Sequence, residues 1–579
     1  MGRVRWGRLF IALVILLLFV YGGALLLGIA RPGELPGIRA LPRPGGPFGD
    51  GTVQPAPTSP ALAQRSPQPA QVSPTPRGVN PTPRPAQQPA QDTGFRSEVP
   101  VPESQGTFPL GYVTIAFDKE FPPYAPVVLL YQEKLAEKRG LGVRFVPFDI
   151  EDKNRISEQR RAELLQNGGF DVVLMTMNTY ALWGGPQVGK VTAIIGESAG
   201  ADKAVVDAGI QTFNDLAGTA IAYSDSSVSE YLLYYMLRVG GVPVNRVIRF
   251  GHENLNQAVR RYLNREAHGV VGWTSSDMEA AAARPGSKVL MTSDQFRVTM
   301  DVLVTGTKAL ETKREAVQAF HDAWFEATKL VFERPDQAAQ AMARWSAEWT
   351  AVGSTNDLTG ALQEFAQATL ADNETVMSDQ NLPLLYGRYK EAQQVWLSGG
   401  REVRHVLRDE ELPAMFEPAF VRQSAADASL VSTRPPVNPT FHLTARPQIA
   451  GLTPEQQGRL NTVAVLGVRQ VEFEPGTSQL SAAARQDIDE SVIPVLRNTV
   501  GTYLRVEGSA GWPAGAGLDE AAVNALAFER ARAVQDYIIK FGIPAERLVL
   551  STVLPRCREC QDAAQVQGDN RVTFSLVTA

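Results

Sequence analysis

The chain has 579 residues, a length that predicts several modules at roughly 100–200 residues per domain. Its 56 lysines and arginines against 61 aspartates and glutamates give a net charge of −5, so the sequence lacks the basic surplus that contacts with nucleic-acid phosphates require. With 2 cysteines and 5 scattered histidines, the sequence argues against a zinc site, and it shows no cofactor motif. These observations exclude a nucleic-acid partner and a metal centre from the expected functions.

The N-terminal segment predicts a transmembrane anchor at residues 9–30. These 22 residues carry no charge, and as a helix they span about 33 Å, which is enough to cross a bilayer. Arg3, Arg5 and Arg8 precede the run, so the positive-inside rule places residues 1–8 in the cytoplasm and the remainder of the chain outside. A cleaved signal peptide is the alternative, because small residues stand at the end of the run.

Two Pro-rich stretches mark the linkers of the chain. Residues 31–107 hold 18 of the 40 prolines and almost no large apolar side chain, so they cannot form a packed core. They predict a disordered linker that holds the following domain away from the membrane. A second Pro-rich stretch at residues 431–455 predicts a boundary before the C-terminal module.

Strands and helices alternate in the middle module, residues 108–430. The pattern predicts strands at residues 112–117, 143–148, 170–177, 219–223, 247–250 and 268–273, and helices at 124–139, 155–166, 227–238 and 255–264. Such alternation is typical of parallel sheets. Since the pattern occurs twice, it indicates two similar α/β lobes, the second at about residues 196–294.

Two phrases in the second series carry a family resemblance. Residues 212–223 (TFNDLAGTAIAY) and 268–273 (HGVVGW), with the helical residues 313–345, resemble the solute-binding proteins of ABC transporters, of the type that binds nitrate, sulfonates or thiamine precursors. The resemblance covers about residues 111–420. It implies two lobes joined at a hinge, with a small solute held in the cleft between them.

The candidate ligand-binding residues lie in four loops that follow strands. In open α/β sheets a ligand sits beyond the carboxyl ends of the strands, beside helix N-termini. The loops span residues 118–124, 178–183, 224–227 and 273–277. Their candidate residues are Asp118, Tyr124, Tyr180, Trp183, Asp225, Ser226, Ser227, Trp273 and Asp277.

The chemistry of these loops leaves the charge of the solute open. Lys119 is their single basic residue, and aromatic faces beside carboxylates favour an amine or other cationic solute. Helix N-termini alone can bind an anion, however. Ser226 and Ser227 either cap a helix or donate to a ligand, and the aromatic and acidic residues have an equally structural interpretation as core and helix caps.

The C-terminal module, residues 456–579, predicts the order β-α-β-α-β-β. The elements are a strand ending at residues 471–480, a helix at 482–497, a strand at 503–507, a helix at 520–540 and strands at 548–552 and 571–577. Residues 473–480, 504–508, 526–538 and 541–548 resemble the OmpA-like peptidoglycan-binding domain. The resemblance implies an α+β fold and contact with the cell wall.

The resemblance also implies a wall-binding site, of which half is missing. In that family an Asp and an Arg clamp the diaminopimelate of the peptide stem; the Arg corresponds to Arg530, and Asn570 and Arg571 match near the end of the domain. The Asp position falls at Gly511, and an unpaired ammonium would weaken binding by roughly tenfold to a hundredfold. Helical spacing predicts that the Arg530 side chain emerges at the edge of the domain beside residues 508–511. If wall binding is retained, Gly511→Asp should tighten it; the alternative is that the domain is a spacer.

Cys557 and Cys560 form a Cys-x-x-Cys motif in the loop before the last strand. Outside the cytoplasm this spacing favours a disulfide that tightens the loop. Neighbouring arginines leave a redox-active thiol as the alternative.

Taken together, the sequence predicts an α/β protein with an N-terminal transmembrane helix, a bilobal periplasmic-binding-protein-like domain and an α+β OmpA-like domain. We expect a membrane-anchored extracytoplasmic solute receptor that presents a small solute to an ABC permease or a sensor, without cofactor, while its tail contacts peptidoglycan. The alternative is a wall-associated scaffold with a vestigial binding domain. No nucleophile elbow or phosphate loop is present, so an enzyme is not expected.

Overall fold

A computed structural model describes residues 103–118, 121–124, 126–148, 157–345, 354–432, 451–468 and 470–579. The predicted anchor, nearly all of the first linker and residues 433–450 of the second lie outside the described residues, as does Lys119. Within the described ranges, no helix combines the length and the apolar character that a membrane crossing requires.

The middle module contains eleven described strands. They are β1 (Tyr112–Asp118), β2 (Gly142–Phe148), β3 (Val172–Thr176), β4 (Gly189–Ser198), β5 (Asp202–Asp207), β6 (Ala220–Ser224), β7 (Ile248–His252), β8 (Gly269–Trp273), β9 (Ser287–Thr292), β10 (Met300–Gly306) and β11 (Phe365–Gln367). They form two separate sheets, one in each lobe.

The sheet of the first lobe has the order β11-β4-β10-β3-β1-β2, and that of the second lobe has the order β7-β6-β8-β5-β9. The strands predicted from alternation do pair in parallel, β1 with β2 and β3, and β6 with β7 and β8. Strand β10 runs antiparallel to β3 and β4, and β5 runs antiparallel to β8 and β9. The expectation of purely parallel sheets is therefore corrected to mixed sheets, because the chain enters and leaves the second lobe through strands of opposite direction.

Helices cover the faces of both sheets. In the middle module they are α1 (Pro126–Gln132), α2 (Glu158–Asn167), α3 (Met177–Trp183), α4 (Val228–Val239), α5 (Leu255–Leu263), α6 (Ser276–Ala283), α7 (Thr307–Thr312), α8 (Arg314–Glu333), α9 (Pro335–Trp345), α10 (Thr355–Gln363), α11 (Leu370–Val376), α12 (Leu382–Ser398) and α13 (Ala419–Ala425). Buried side chains of α8 and α12, such as Trp324 and Trp396, join the main hydrophobic core.

Two predicted elements of the first lobe differ from the structure. The helix expected at residues 124–139 ends at Gln132, since Lys134 adopts a left-handed backbone conformation (φ 55°) that an α-helix cannot continue through. The loop expected at residues 178–183 is helix α3, whose first turn is capped because the Thr176 hydroxyl accepts from the Thr179 N–H (3.2 Å).

The C-terminal module has a sheet of its own. Its strands are β12 (Asn461–Val465), β13 (Val471–Glu472), β14 (Tyr503–Gly508), β15 (Leu548–Thr552) and β16 (Arg571–Thr578), and its helices are α14 (Pro454–Gln457), α15 (Ala482–Asp487), α16 (Ile493–Asn498), α17 (Glu520–Ile539) and α18 (Ala563–Gly568). The strand order is β12-β16-β14-β15, with β13 also pairing with β16. The single helix expected at 482–497 is divided by a π-helical turn at Ile488–Val492.

Candidate functional site

The two lobes are joined by two chain crossings that hydrogen-bond to each other. The first crossing connects β4 to β5, and the second connects β9 to β10. The Ser198 and Ser293 hydroxyls lie 2.9 Å apart, and the Ser293 oxygen also accepts from the backbone N–H groups of Gly200 (2.9 Å) and Asp202 (3.0 Å). These contacts define the hinge of the middle module.

A cavity of about 80 Å³ lies beside the hinge and is lined from both lobes. Its lining residues are Asp118, Phe121, Tyr124, Glu158, Met175, Thr176, Thr179, Ser198, Asp202, Ser227, Val228, Trp273, Thr299 and Asp301. Four of these are carboxylic acids, and among the described lining residues none is basic. At about 10–15 Å³ for one water, the cavity has room for roughly five waters, and hence for a small solute.

Arg161 of α2 holds two of the four acids from behind the cavity wall. Its guanidinium is buried and donates to both oxygens of Asp118 (2.7 and 2.9 Å) and to Glu158 (3.3 Å). Burial by itself lowers the pKa of Arg161, but the charges of Asp118 and Glu158 more than offset that effect and raise it above its ordinary value. Asp118 is therefore held in a fixed position in the cavity wall by two hydrogen bonds.

Asp301, on β10, carries a proton near neutral pH. Burial raises the pKa of Asp301 to about 8; the hydrogen bond from the Tyr124 hydroxyl (2.5 Å) opposes the rise, while the charges of Asp202, Asp118 and Glu158 add to it. A second acid thus lies in the cavity in its neutral form until a cation replaces the proton.

Asp202 and Thr299 present buried polar atoms with few hydrogen-bond partners. Both residues are more than nine-tenths buried, and the Thr299 hydroxyl lies near the Asp202 carboxyl. Apart from this mutual contact and the nearby Ser198 hydroxyl, the Asp202 Oδ2 and the Thr299 Oγ1 have no hydrogen-bond partner among the described residues. Burial raises the pKa of Asp202 to about 6, against the effect of the nearby Thr299 and Ser198 hydroxyls. A buried polar atom without a hydrogen-bond partner lowers the stability of the ligand-free protein. Such atoms therefore indicate a place where a ligand binds.

The remaining walls are aromatic and apolar. Phe121 packs edge-on against Tyr124, with ring centroids 4.8 Å apart, and against Phe365 at 5.7 Å. Trp273, at the end of β8, closes the cavity from the second lobe. The acids of the first lobe and hinge thus face an indole ring of the second lobe, as a binding cleft between lobes requires.

Four of the nine predicted ligand-binding residues line the cavity: Asp118, Tyr124, Ser227 and Trp273. Ser227 is also the N-cap of α4, because its hydroxyl oxygen accepts from the Ser229 N–H (3.2 Å) and its hydroxyl donates to the Ser224 carbonyl (2.7 Å). The capping interpretation of this serine therefore describes its hydrogen bonds, although it lies at the cavity wall.

The other five predicted residues are not part of the cavity lining. The Tyr180 hydroxyl donates to the Gly189 carbonyl (2.8 Å) inside the core, and Trp183 packs against the same core. Asp225 and Ser226 contact Arg401, at 3.4 and 2.6 Å, on the outer side of the turn before α4, and Asp277 lies in the first turn of α6. For Tyr180 and Trp183 the physical reason is that residues 177–183 form a helix rather than an open loop.

Sequence reasoning missed Glu158, Asp202, Thr299 and Asp301. The last three belong to the crossing strands, which the alternating pattern did not include. One signal was present: Asp301 is an acid within the otherwise apolar strand Met300–Gly306. An acid in a fully buried strand requires a partner or a function.

In the C-terminal module, Arg530 is fully buried rather than presented at an edge. Its guanidinium donates to the carbonyls of Thr477 (2.8 Å), Ser509 (2.9 Å) and Glu474 (3.1 Å) and to the Asn570 side-chain oxygen (2.8 Å). Burial lowers the pKa of Arg530 to about 10. The expectation that this side chain emerges beside residues 508–511 is corrected: it reaches that loop but has no exposed surface.

The environment of Gly511 corrects a further expectation. A Cβ atom at this position would lie 2.3 Å from the Val566 carbonyl oxygen, so an aspartate cannot be added there without moving the backbone. The Gly511 N–H donates to the Asn570 side-chain oxygen (2.9 Å), and Arg571 pairs with Asp569 (2.9 Å). Cys557 and Cys560 are joined in a disulfide.

Comparison with known protein families matches a part of each module. Residues 155–338 match the family described as NMT1/THI5 like, and residues 472–554 match the OmpA family. The chain therefore combines a segment similar to the NMT1/THI5-like family with a segment similar to the OmpA family. No curated protein matches it.

Several solved structures are similar to about half of the chain. The aliphatic sulphonate binding protein SsuA of Escherichia coli is 16% identical with a TM-score of 0.40 and covers 52% of this chain and 96% of its own. A sulfonate-binding SsuA of Methylobacillus flagellatus is 14% identical (TM-score 0.42; 56% and 97% covered), and the nitrate-binding protein NrtA of Synechocystis is 10% identical (TM-score 0.41; 57% and 93% covered).

Proposed function

We propose that this protein is an extracytoplasmic solute receptor, held to the membrane by residues 9–30 and presenting its solute to an ABC permease or a sensor. The observation that supports this most directly is the cavity beside the hinge, lined from both lobes and containing buried polar atoms with unused hydrogen-bonding capacity. A scaffold with a vestigial binding domain would be expected to fill such a space with bulky side chains.

The tail is the second part of the proposal. A family of peptidoglycan-binding domains matches residues 472–554, and the linker at 31–107 has a length suited to span between membrane and wall. Contact through Arg530, Asn570 and Arg571 stays a prediction. Arg530 is buried and contacts the Glu474 and Thr477 carbonyls. A wall peptide therefore reaches it only if residues 474–477 move.

The receptor function is tested by a thermal-shift screen of the full chain against amines, amino acids, sulfonates and inorganic anions. A solute should raise the melting temperature saturably, and Trp273→Ala should weaken its binding by more than about tenfold, since it removes an aromatic wall of the cavity. Asp277→Asn is the matched control outside the cavity. If no class of solute shifts the melting temperature, the scaffold alternative is favoured.

The topology is tested separately. Protease added to intact spheroplasts should digest the bulk of the chain, because the arginines before residue 9 place everything after residue 30 outside. Protection of the bulk would contradict the proposed location.

A further inference from the structure

The cavity beside the hinge differs from an anion site in the charge of its walls. Asp118, Glu158, Asp202 and Asp301 line it, and the guanidinium of Arg161 is already engaged by the first two. An anion entering this space would meet carboxylates without a free donor from any described basic residue. A like charge in a desolvated site costs free energy, whereas a cation gains it.

The hydrogen-bonding capacity of the cavity indicates the kind of cation. The Asp202 Oδ2 is a buried acceptor and the Thr299 Oγ1 lies near the same carboxyl; beyond that contact and the nearby Ser198 hydroxyl, neither atom has a hydrogen-bond partner among the described residues. An ammonium group has three donors and no acceptor, so it can satisfy both. Trp273 and Phe121 offer aromatic faces for the cation or its aliphatic part.

We propose that the cavity takes a small solute with an ammonium group, held by Asp202, Asp301 and Thr299 against the Trp273 ring. This inference rests on the proposed receptor function and specifies its substrate class. The volume of about 80 Å³ restricts the solute in this closed form to a few heavy atoms.

The ionisation of Asp301 predicts that the affinity for an ammonium depends on pH. Tyr124, Asp118, Glu158 and Asp202 face this carboxyl, and its pKa of about 8 means that a bound ammonium must displace a proton near neutral pH. The affinity for an ammonium should therefore rise between about pH 6 and pH 8, by at most about tenfold per pH unit. An anion would show the opposite trend.

The experiment uses calorimetry on the full chain with ethanolamine, methylammonium, ethylene glycol, methanesulfonate and nitrate as probes. The two ammonium probes should bind, and ethylene glycol, which resembles ethanolamine without the charge, should bind at least about tenfold more weakly. Asp202→Asn should bind ethanolamine about tenfold or more weakly than the parent protein does. Asp277→Asn, an acid of the second lobe that does not line the cavity, should leave it unchanged.

The outcomes separate this inference from the receptor function. If methanesulfonate or nitrate binds and Trp273→Ala weakens it, the receptor function stands and the ammonium class is overturned. If ethanolamine binds but Asp202→Asn binds it equally well, the assignment of Asp202 is overturned. If none of the five probes binds while a solute of the broader screen that lacks an ammonium group does, the ammonium class again fails.

A second observation concerns the contacts between the two modules. The C-terminal module touches the second lobe through Asn214, whose side chain donates to the Val465 carbonyl (3.0 Å) and accepts from the Val465 N–H (2.8 Å). The Gly467 N–H donates to the Val239 carbonyl (2.9 Å). A Cβ at Gly467 would lie 2.1 Å from the Gly241 Cα, so the backbones meet directly there.

The same module also touches the hinge and the first lobe. The Val500 N–H donates to the carbonyl of Gln295 (2.9 Å), and Phe296 pairs with Thr499 in an antiparallel bridge. Gln295 and Phe296 lie in the second crossing between the lobes. Asn498 donates to Glu391 of α12, which belongs to the first lobe.

We infer that the C-terminal module restrains the hinge of the middle module. Rotation of one lobe against the other must break or strain one of these contacts. This links the opening of the cleft to the docking of the C-terminal module. Such coupling requires that undocking changes the hinge, and not merely the interface.

Hydrogen exchange of the full chain tests the coupling. Gly467→Val should undock the module and speed exchange of the Val500 amide; if the inference is correct, the hinge amides of Gly200 and Asp202 should also exchange at least about tenfold faster. Gly568→Ala is the control, because Gly568 lies in the same module and an added Cβ meets no atom within 4 Å there. Faster exchange at Val500 with an unchanged hinge would overturn the inference, as would no change at either place.

Discussion

The cavity of the middle module and the Arg530 site of the C-terminal module both bury ionisable groups, but the hydrogen bonds of these groups are satisfied to different extents. In the cavity, the Asp202 Oδ2 and the Thr299 Oγ1 have no hydrogen-bond partner among the described residues beyond their mutual contact and the nearby Ser198 hydroxyl. Arg530 instead donates to three carbonyls and one amide oxygen. A prepared binding site leaves capacity for its ligand, whereas a structural site uses its capacity within the fold.

The difference also appears in how burial acts on each group. Burial raises the pKa of Asp301 to about 8, so the acid becomes neutral in the empty cavity. Burial lowers the pKa of Arg530 to about 10, which still leaves the guanidinium charged at neutral pH. The first site can exchange a proton for a ligand, and the second keeps a permanent charge that its neighbours must solvate.

The largest effect is expected for Arg530→Ala. It removes the donor shared by the Glu474, Thr477 and Ser509 carbonyls and the Asn570 side chain. The Asn570 oxygen keeps the Gly511 N–H as a donor and the Glu474 carbonyl keeps the Thr477 N–H, so the loss is greatest at the Ser509 carbonyl. Hydrogen bonds to charged groups contribute about 1.5–3 kcal/mol each, and the desolvation of the guanidinium offsets part of their sum. The free energy of unfolding of the C-terminal module should fall by about 3 kcal/mol, as measured by hydrogen exchange of the β14 and β16 amides.

Arg532→Ala is the matched control, because Arg532 lies two residues further along the same helix and is exposed. Its effect on stability should be within about 0.5 kcal/mol. If Arg530→Ala leaves the module stable but abolishes binding to purified peptidoglycan, the side chain is a wall contact and the contrast with the cavity fails.

The next largest effect is expected for Gly511→Asp. The added Cβ would lie 2.3 Å from the Val566 carbonyl, so the substitution should destabilise the module by about 2 kcal/mol rather than improve wall binding. Thermal unfolding of the full chain provides the measurement. Gly568→Ala, where a Cβ meets no atom within 4 Å, should have a much smaller effect. Tighter peptidoglycan binding by Gly511→Asp would show that the 508–511 loop can open.

Hydrophobic periodicity predicted the strands and helices of both modules well where capping or turn residues mark both ends of the element. Residues 548–552 form a strand with the predicted bounds. The crossing strand β10 was missed because its pairing with β3 and β4 is set by distant residues. Helix α3 was missed because the preceding strand was extended through Met177.

The candidate site was predictable in part for the same reason. Asp118 and Trp273 lie at the ends of strands that the alternating pattern identifies, and both line the cavity. Asp202 and Asp301 enter the cavity from the hinge, which exists because the chain crosses twice between lobes. No local spacing connects residues 202 and 301; their proximity follows from tertiary structure.

A pH dependence is expected from Asp301. The folded pKa is about 8, and the ordinary value in an unfolded chain is near 4. Between these values the folded protein binds more protons than the unfolded chain, so the free energy of unfolding should fall as the pH rises, by up to about 1.4 kcal/mol per unit. Asp202, with a pKa of about 6, contributes in the same direction over the lower part of this range.

Asp301→Asn should flatten this slope, because the amide does not titrate. The measurement is urea unfolding of the middle module within the full chain, repeated at several pH values between about pH 5 and pH 8. Asp277→Asn should keep the parent slope. An equal slope in the parent and Asp301→Asn would show that Asp301 is ionised in the folded protein.

The smallest effect is expected for Tyr180→Phe. Comparison with Tyr124→Phe distinguishes a tyrosine of the core from a tyrosine that lines the cavity. The Tyr180 hydroxyl donates to the buried Gly189 carbonyl, so its removal should lower the stability by about 1 kcal/mol. The affinity for a cavity solute should not change, since Tyr180 does not line the cavity. In Tyr124→Phe the same atom is removed beside Asp301, and there the solute affinity should change along with the stability. If Tyr180→Phe alters solute affinity as strongly as Tyr124→Phe, the cavity extends into α3 and the boundary drawn between core and site is wrong.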